Sequence, residues 1–173
     1  TLQGRVLTWL SKCMAAQADY CITVSARLNK MLGAKKEKTF TIPMGIDLQK
    51  FQPMDKIDCR EKLNLPKGTR FVLFVSDPTR PEKQFWLAQQ AVNQYQARHP
   101  EQTIQLMVVN GIYNDQIPVY MNSGDVLILT STHEGSPTVV KEAIACNLPV
   151  VSFNVGDVEE WIKDLDGCYL CEK

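Results

Sequence analysis

The sequence holds no apolar run near the roughly 18 residues of a membrane span, and its first stretch, broken by Arg5, Lys12 and Gln17, lacks a signal-peptide core. It has no excess of charge either. Nineteen Lys and Arg balance nineteen acids, so no global field draws nucleic acid or an anionic membrane, and an anionic ligand must be met locally. The basic run of Lys35, Lys36 and Lys38 is too short to claim a membrane surface and reads as solvated charge. Histidine is scarce, with only His99 and His133, and no Asp-x-Asp stands at the end of an apolar strand. Six cysteines are scattered, and only Cys168 and Cys171 form a CxxC, with no second pair or histidine cluster for zinc or redox work. Reduced thiols in a cytosolic chain are the simpler reading. No repeat with a period of roughly 20 to 50 residues argues for a solenoid.

What is there suffices for a globular core, since 45% of 173 residues are hydrophobic, enough for one domain and a remnant of another. The first segment repeats Val6, Leu10 and Met14, with Leu7 beside them, and predicts an amphipathic helix. "YCITV" reads as a short buried strand, and Ser25 and Gly33 are placed to cap and end a helix over "ARLNKML". One strand and two helices cannot close a core. After "KTFTIPMGIDLQKFQPMD" the pattern turns regular. "RFVLFVS", "TIQLMVVNG", "DVLILTS" and "LPVVSF" are continuous apolar runs, as in parallel strands covered on both faces. Helical stretches separate them: one with Phe85, Ala88, Val92 and Tyr95, a short "PVYMNS", and "PTVVKEAIAC". The order predicts an α/β fold, a Rossmann-like doubly wound parallel sheet, with ligands in the loops at the strands' carboxyl ends.

The loop after the third run, "STHEGSP", leads into the most informative stretch, "HEGSPTVVKEAIACNLPVV". Ser136 suits an N-cap and Pro137 the first helical position, with Thr138 and Val139 following. Gly135 lets a ligand approach the backbone, and free N–H groups with the positive helix end suit a phosphate. Val139, Val140, Ala143 and Ile144 form the buried stripe, which turns Glu142 away from the core. Glu142 lies roughly 9 Å along the axis from Ser136, about a pyrophosphate-to-ribose distance. Glu134 precedes the cap on the loop side. From spacing alone, the two glutamates fit either a ligand site or two solvated acids.

A resemblance adds to this. "HEGSPTVVKEAIACNLPVVSFNVGDVEE" resembles the signature of retaining family 4 glycosyltransferases (glycosyl transferases group 1) of GT-B fold, with two glutamates separated by seven residues and a Pro-Val-Val strand ending in Val-Gly. "GDVLILTS", "ADYCITVS" and "IPMGID" match further family segments in the right order, over nearly the whole chain. The variant is most similar to bacterial enzymes building surface polysaccharides. The resemblance implies that Glu134 contacts the donor sugar near its anomeric carbon, that Glu142 binds the ribose, and that N–H groups from Ser136 to Val139 receive the diphosphate. Lys83 matches the family lysine that neutralises the leaving diphosphate. Asp77 stands where the family arginine is expected, and Arg80, three residues on, is the candidate substitute. Ile112 and Tyr113 are candidates for the base-side wall, and Asp157 for a place beside the donor.

The expectation is therefore a glycosyltransferase moving a sugar from a nucleotide-diphosphate sugar, a UDP-sugar by preference, to a glycan or lipid-linked acceptor, with no metal and no nucleic acid. Residues 1–38 should be the tail of an amino-terminal acceptor domain with the hinge, and 39–173 the donor-binding domain. Such a fragment should not transfer sugar alone. The full-length protein is expected in the cytoplasm, with the inner membrane face as a peripheral station. Two other classes remain open: a non-catalytic nucleotide or phosphate module, for which Glu134 would be dispensable, and a sugar-nucleotide epimerase of the same fold. The epimerase needs acid and base groups around its cleft, and the sequence has few histidines to offer.

Overall fold

A computed structural model describes residues 2–33 and 36–172; Lys35 of the basic run lies outside the described residues. The chain divides into two compact units, 1–45 and 46–173. The break falls beyond Lys38 because residues 39–41 pair with the strand before them.

The first unit holds α1 (Leu2–Gln17), β1 (Cys21–Thr23), α2 (Ala26–Leu32) and β2 (Thr39–Thr41), with β1 and β2 parallel. Ser25 caps α2 by accepting the Leu28 N–H at 3.3 Å, and Gly33 ends it in the left-handed region at φ 65°. The stripe of α1 is where its period put it, yet Val6, Leu7, Leu10 and Met14 are all exposed. β1 corrects the buried-strand reading as well, because Ile22 is 68% exposed and only Thr23 turns inward.

The second unit opens with α3 (Lys56–Lys62), absent from the sequence reading. It is short, buries only Cys59, and starts on Asp55, whose carboxylate accepts the Ile57 and Asp58 N–H groups. Then come β3 (Thr69–Phe74), α4 (Phe85–Arg98), β4 (Thr103–Val108), α5 (Ile117–Ser123) and β5 (Val126–Leu129). They are followed by α6 (Thr138–Ala145), β6 (Val150–Phe153), α7 (Val158–Ile162) and β7 (Tyr169–Cys171). The five strands form one parallel sheet in the order β4-β3-β5-β6-β7. The Rossmann-like doubly wound expectation is met. The chain leaves β3 for β4 on one side and returns to β5 on the other, so the topological switch point lies between β3 and β5. That places the ligand crevice at the loops after those two strands.

Side-chain alternation divides the sheet. Phe71, Leu73, Leu127, Leu129 and Val150 enter a core with Met121 of α5, Val140 and Ala143 of α6, and Ile162 of α7. Each fully buried aliphatic chain there contributes about 1.5–3 kcal/mol. α4 packs on β3 and β4, with Phe85 edge-on to Phe74 at 5.2 Å. At the sheet's edge β4 is not covered on both faces as its apolar run suggested, and Val108 stays 38% exposed. The Asp of "GDVLILTS" has a structural task. Asp125 accepts the Phe71 N–H and an Arg60 N–H, both at 2.7 Å, and Lys56 at 3.1 Å, tying α3 to β3 and β5. Burial pushes its carboxyl up, but those donors outweigh it and hold the group below its ordinary value. Among the described residues, no helix is long and apolar enough to cross a membrane.

Candidate functional site

The loop after β3 is bent into shape by its own side chains. Asp77 accepts both the N–H and the hydroxyl of Thr79, at 2.8 and 2.7 Å, as an Asx turn does. The Thr79 hydroxyl, ahead of the Thr79 N–H, lowers the Asp77 carboxyl. A 3-10 turn over Pro81–Lys83 follows, and Gln84, in the left-handed region at φ 48°, starts α4. The strand end of β5 then clamps this loop. The Thr130 hydroxyl donates to the Lys83 carbonyl at 2.7 Å, and the Thr132 N–H to the Glu82 carbonyl at 2.8 Å. Residues fifty positions apart are thereby fixed at the switch point.

The consequence is that Lys83 and Glu134 meet. The Lys83 ammonium lies 2.6 Å from Glu134 Oε1, with both side chains less than one-fifth exposed. Arg80 does not join them; it is half-exposed and its guanidinium binds Glu82. The short reach from position 80 to 82 along one turn gives it a nearer acid than Glu134.

Beyond Glu134 the helix start differs from the sequence reading by one residue. Pro137 occupies the N-cap position and α6 begins at Thr138, while the Ser136 hydroxyl caps nothing. It donates instead to Asp157 Oδ2 at 2.7 Å and accepts from the Lys141 ammonium at 2.7 Å. The N–H groups of Gly135, Ser136, Thr138 and Val139 have no acceptor among the described residues. Pro137 has no N–H to offer; it is buried and shapes the turn. Gly156, at φ 59°, packs so closely that a Cβ there would lie 2.8 Å from the Gly135 carbonyl oxygen. The result is a row of free donors at a helix N-terminus, with Lys83 bound to the neighbouring Glu134, which suits an anion.

Of the two readings left open for Glu142, the fully solvated acid does not match its burial. It is half-buried on the second turn of α6, its carboxylate makes no hydrogen bond to the described residues, and burial pushes that carboxyl up, with Lys50 pulling it partway back. Lys50 itself donates to Asp115 at 2.6 Å. No sequence signal marked Lys50, since its placement near Glu142 depends on the loop before α3 folding back toward α6. Of the remaining candidates, Ile112 is half-buried, whereas Tyr113 is 83% exposed. Asp157 is 3% exposed and faces the protein, where it holds Ser136, Lys141 and the Trp161 indole N–H on one oxygen. Lys141, unmarked in the sequence, is equally buried at 4%. The CxxC cysteines are free thiols, Cys168 accepting the Val150 N–H and Cys171 exposed.

Comparison with known proteins supplies the context. Residues 88–173 match the family described as Glycosyl transferases group 1. The chain is 30% identical over 164 residues to TuaC of Bacillus subtilis strain 168, named a glycosyltransferase of teichuronic acid biosynthesis, covering 85% of this chain and 41% of that protein. It is 24% identical over 172 residues to D-inositol 3-phosphate glycosyltransferase 2 of Catenulispora acidiphila, covering 81% and 40%. The chain thus spans about two-fifths of the length of the curated relatives it matches. Among solved structures, HepE of Anabaena in complex with UDP-glucose superposes with a TM-score of 0.69 at 20% identity, covering 95% of this chain and 53% of that one. The fold is that of the carboxyl-terminal Rossmann-like domain of GT-B glycosyltransferases.

Proposed function

We propose that this chain, carrying a glycosyl transferases group 1 domain over residues 88–173, is the donor-binding part of a retaining GT-B glycosyltransferase of family 4 that builds a bacterial surface polysaccharide. Its donor is a nucleotide-diphosphate sugar, a UDP-sugar by preference, and its acceptor a growing glycan or a lipid-linked one. Residues 1–38 then belong to the end of the acceptor domain and its hinge. The observation that carries the reading is the junction of Lys83 and Glu134 at 2.6 Å, beside the free N–H groups that open α6 and one helical turn from Glu142. A phosphate module needs the cation and the helix start. It has no use for two partly buried carboxylates flanking them, which suit hydroxyls of a sugar and a ribose.

In this reading the diphosphate lies against the N–H groups of Ser136, Thr138 and Val139, and Lys83 turns from Glu134 to its oxygens. The bond between the anomeric carbon and the diphosphate oxygen breaks, and its electron pair stays with the diphosphate. The acceptor hydroxyl attacks on the same face and its proton passes to the departing diphosphate. Charge grows on the leaving group in the transition state, so fixed donors aimed there lower the barrier most. Those donors make a metal unnecessary to the proposal. Glu134 holds sugar hydroxyls near the reacting carbon, and Glu142 accepts from the ribose. TuaC, named for teichuronic acid, supports the surface-glycan assignment, and the HepE complex supports UDP-glucose-type donors.

Calorimetry with UDP, GDP and ADP tests the site, repeated on Lys83→Ala and Glu142→Ala. The preferred nucleotide should bind at least roughly tenfold more weakly to each variant, as loss of a charge-assisted bond implies. If neither change weakens it, the donor-site assignment fails.

A further inference from the structure

Lys141 and Asp157 form a buried ion pair that the reaction as written does not use. Lysine and aspartate are almost never fully buried unless paired, and these are 4% and 3% exposed. The Lys141 ammonium lies 3.5 Å from Asp157 Oδ2 and 4.7 Å from the centre of the Trp161 ring, and it donates to the Ser136 hydroxyl at 2.7 Å. The same Asp157 oxygen accepts the Ser136 hydroxyl at 2.7 Å and the Trp161 indole N–H at 3.0 Å. Asp157 Oδ1 is buried with no partner.

For stability alone this arrangement is a poor choice. Taking both charges out of water costs what their attraction repays only in part, and an apolar pair of the same volume would serve as well or better. An unpartnered carboxylate oxygen adds to the cost. What the pair does accomplish is geometric. It joins three places in the chain: the loop before α6, the first turns of α6, and the turn after β6. At their meeting point stands Ser136, whose N–H is one of the free donors facing the crevice. Gly156, next to Asp157, closes on the backbone of Gly135 from the same side.

We propose that Lys141 and Asp157 are positioning residues. Through the Ser136 hydroxyl they fix the direction of the N–H groups that open α6, and so the shape of the diphosphate subsite; this rests on the donor-site reading above. Neither residue touches the ligand. Their charge is needed because the ammonium and carboxylate grip Ser136 from two sides, which apolar side chains cannot do.

The test uses the full 173-residue chain and calorimetry with three probes: UDP, inorganic pyrophosphate and uridine. Lys141→Met keeps the side chain's length and removes its charge. It should weaken UDP and pyrophosphate roughly tenfold and leave uridine unchanged, and Lys141→Arg should recover part of the loss. Ser136→Ala cuts the tie at the loop end with the buried pair intact; it should show the same split with a smaller loss, and it carries the test should Lys141→Met not fold. Unchanged diphosphate affinity in both folded variants overturns the proposal. An equal loss of UDP and uridine overturns it too, because a merely structural role moves both. A wild-type chain that binds UDP no better than uridine overturns the donor-site reading itself, and the positioning role with it.

Discussion

Glu134 and Glu142 lie on one segment, yet the two ends of that segment are built differently. Glu134 stands in a finished electrostatic contact, 2.6 Å from Lys83, at a mouth tied down by Thr130, Thr132, Ser136 and the close approach of Gly156 to Gly135. The carboxylate of Glu142, two turns along, has no hydrogen bond to the described residues, and burial has raised it. In the donor-site reading proposed above, Glu134 exchanges its partner when ligand arrives, whereas Glu142 has no side-chain hydrogen bond to give up. In that reading the same residue type costs binding energy at one end and supplies it at the other. An occupied charge must be released before it helps, whereas a desolvated, unpartnered one gains as soon as a hydroxyl donates to it.

The strongest way to break this comparison is at the mouth. Gly156→Ala puts a Cβ into the Gly135 carbonyl at a positive φ, so it should cost about 2–3 kcal/mol in urea unfolding and weaken UDP, while leaving the raised Glu142 carboxyl as it is. A fully stable Gly156→Ala chain would show that the mouth is not braced as described. Glu134→Gln tests the partner exchange itself. With Lys83 released, free UDP should bind a few-fold more tightly, and the extra affinity of a UDP-sugar over UDP should vanish. If the variant instead loses UDP as Lys83→Ala does, Glu134 and Lys83 act together on the diphosphate and the comparison collapses.

The smallest effect is a pH dependence at the other end. The Glu142 carboxyl is raised in the folded chain above its ordinary value of 4.5, chiefly by burial, so the folded state holds that proton more tightly than the unfolded one. Its contribution to stability is therefore present below the ordinary value and is lost as pH rises through the raised one. Glu142→Gln removes that loss. Thermal unfolding from about pH 4 to 7 should show the variant gaining on the wild type as pH climbs through this window. A constant difference would mean that the acid titrates normally and is solvated after all.

The alternation of apolar runs with helical periods was enough to foresee the parallel sheet, because strands buried on two faces and crossover helices leave distinct patterns. The helix start between Glu134 and Glu142 was legible to within one residue because it belongs to a short local stretch with its own chemistry, whereas Lys83 was marked only by the family resemblance. α3 and α7 escaped the sequence reading; they are short, at seven and five residues. Ser136 was misjudged because capping propensity describes a helix in isolation, and here its hydroxyl is bid away by Lys141 and Asp157. The exposure of Tyr113 and the burial of Asp157 were not legible, because both depend on what packs around each residue in the fold.

By itself, then, the sequence determined the parallel α/β sheet and, to within one residue, the start of α6, since these follow from periods and from properties of neighbouring residues. Only the tertiary structure decided which charges meet. The Lys83–Glu134 contact spans fifty-one positions, the Ser136–Asp157 bond twenty-one, and Glu142 is half-buried by its neighbours in space. Such pairings depend on strand order at the switch point and on burial, and neither quantity exists until the chain has folded.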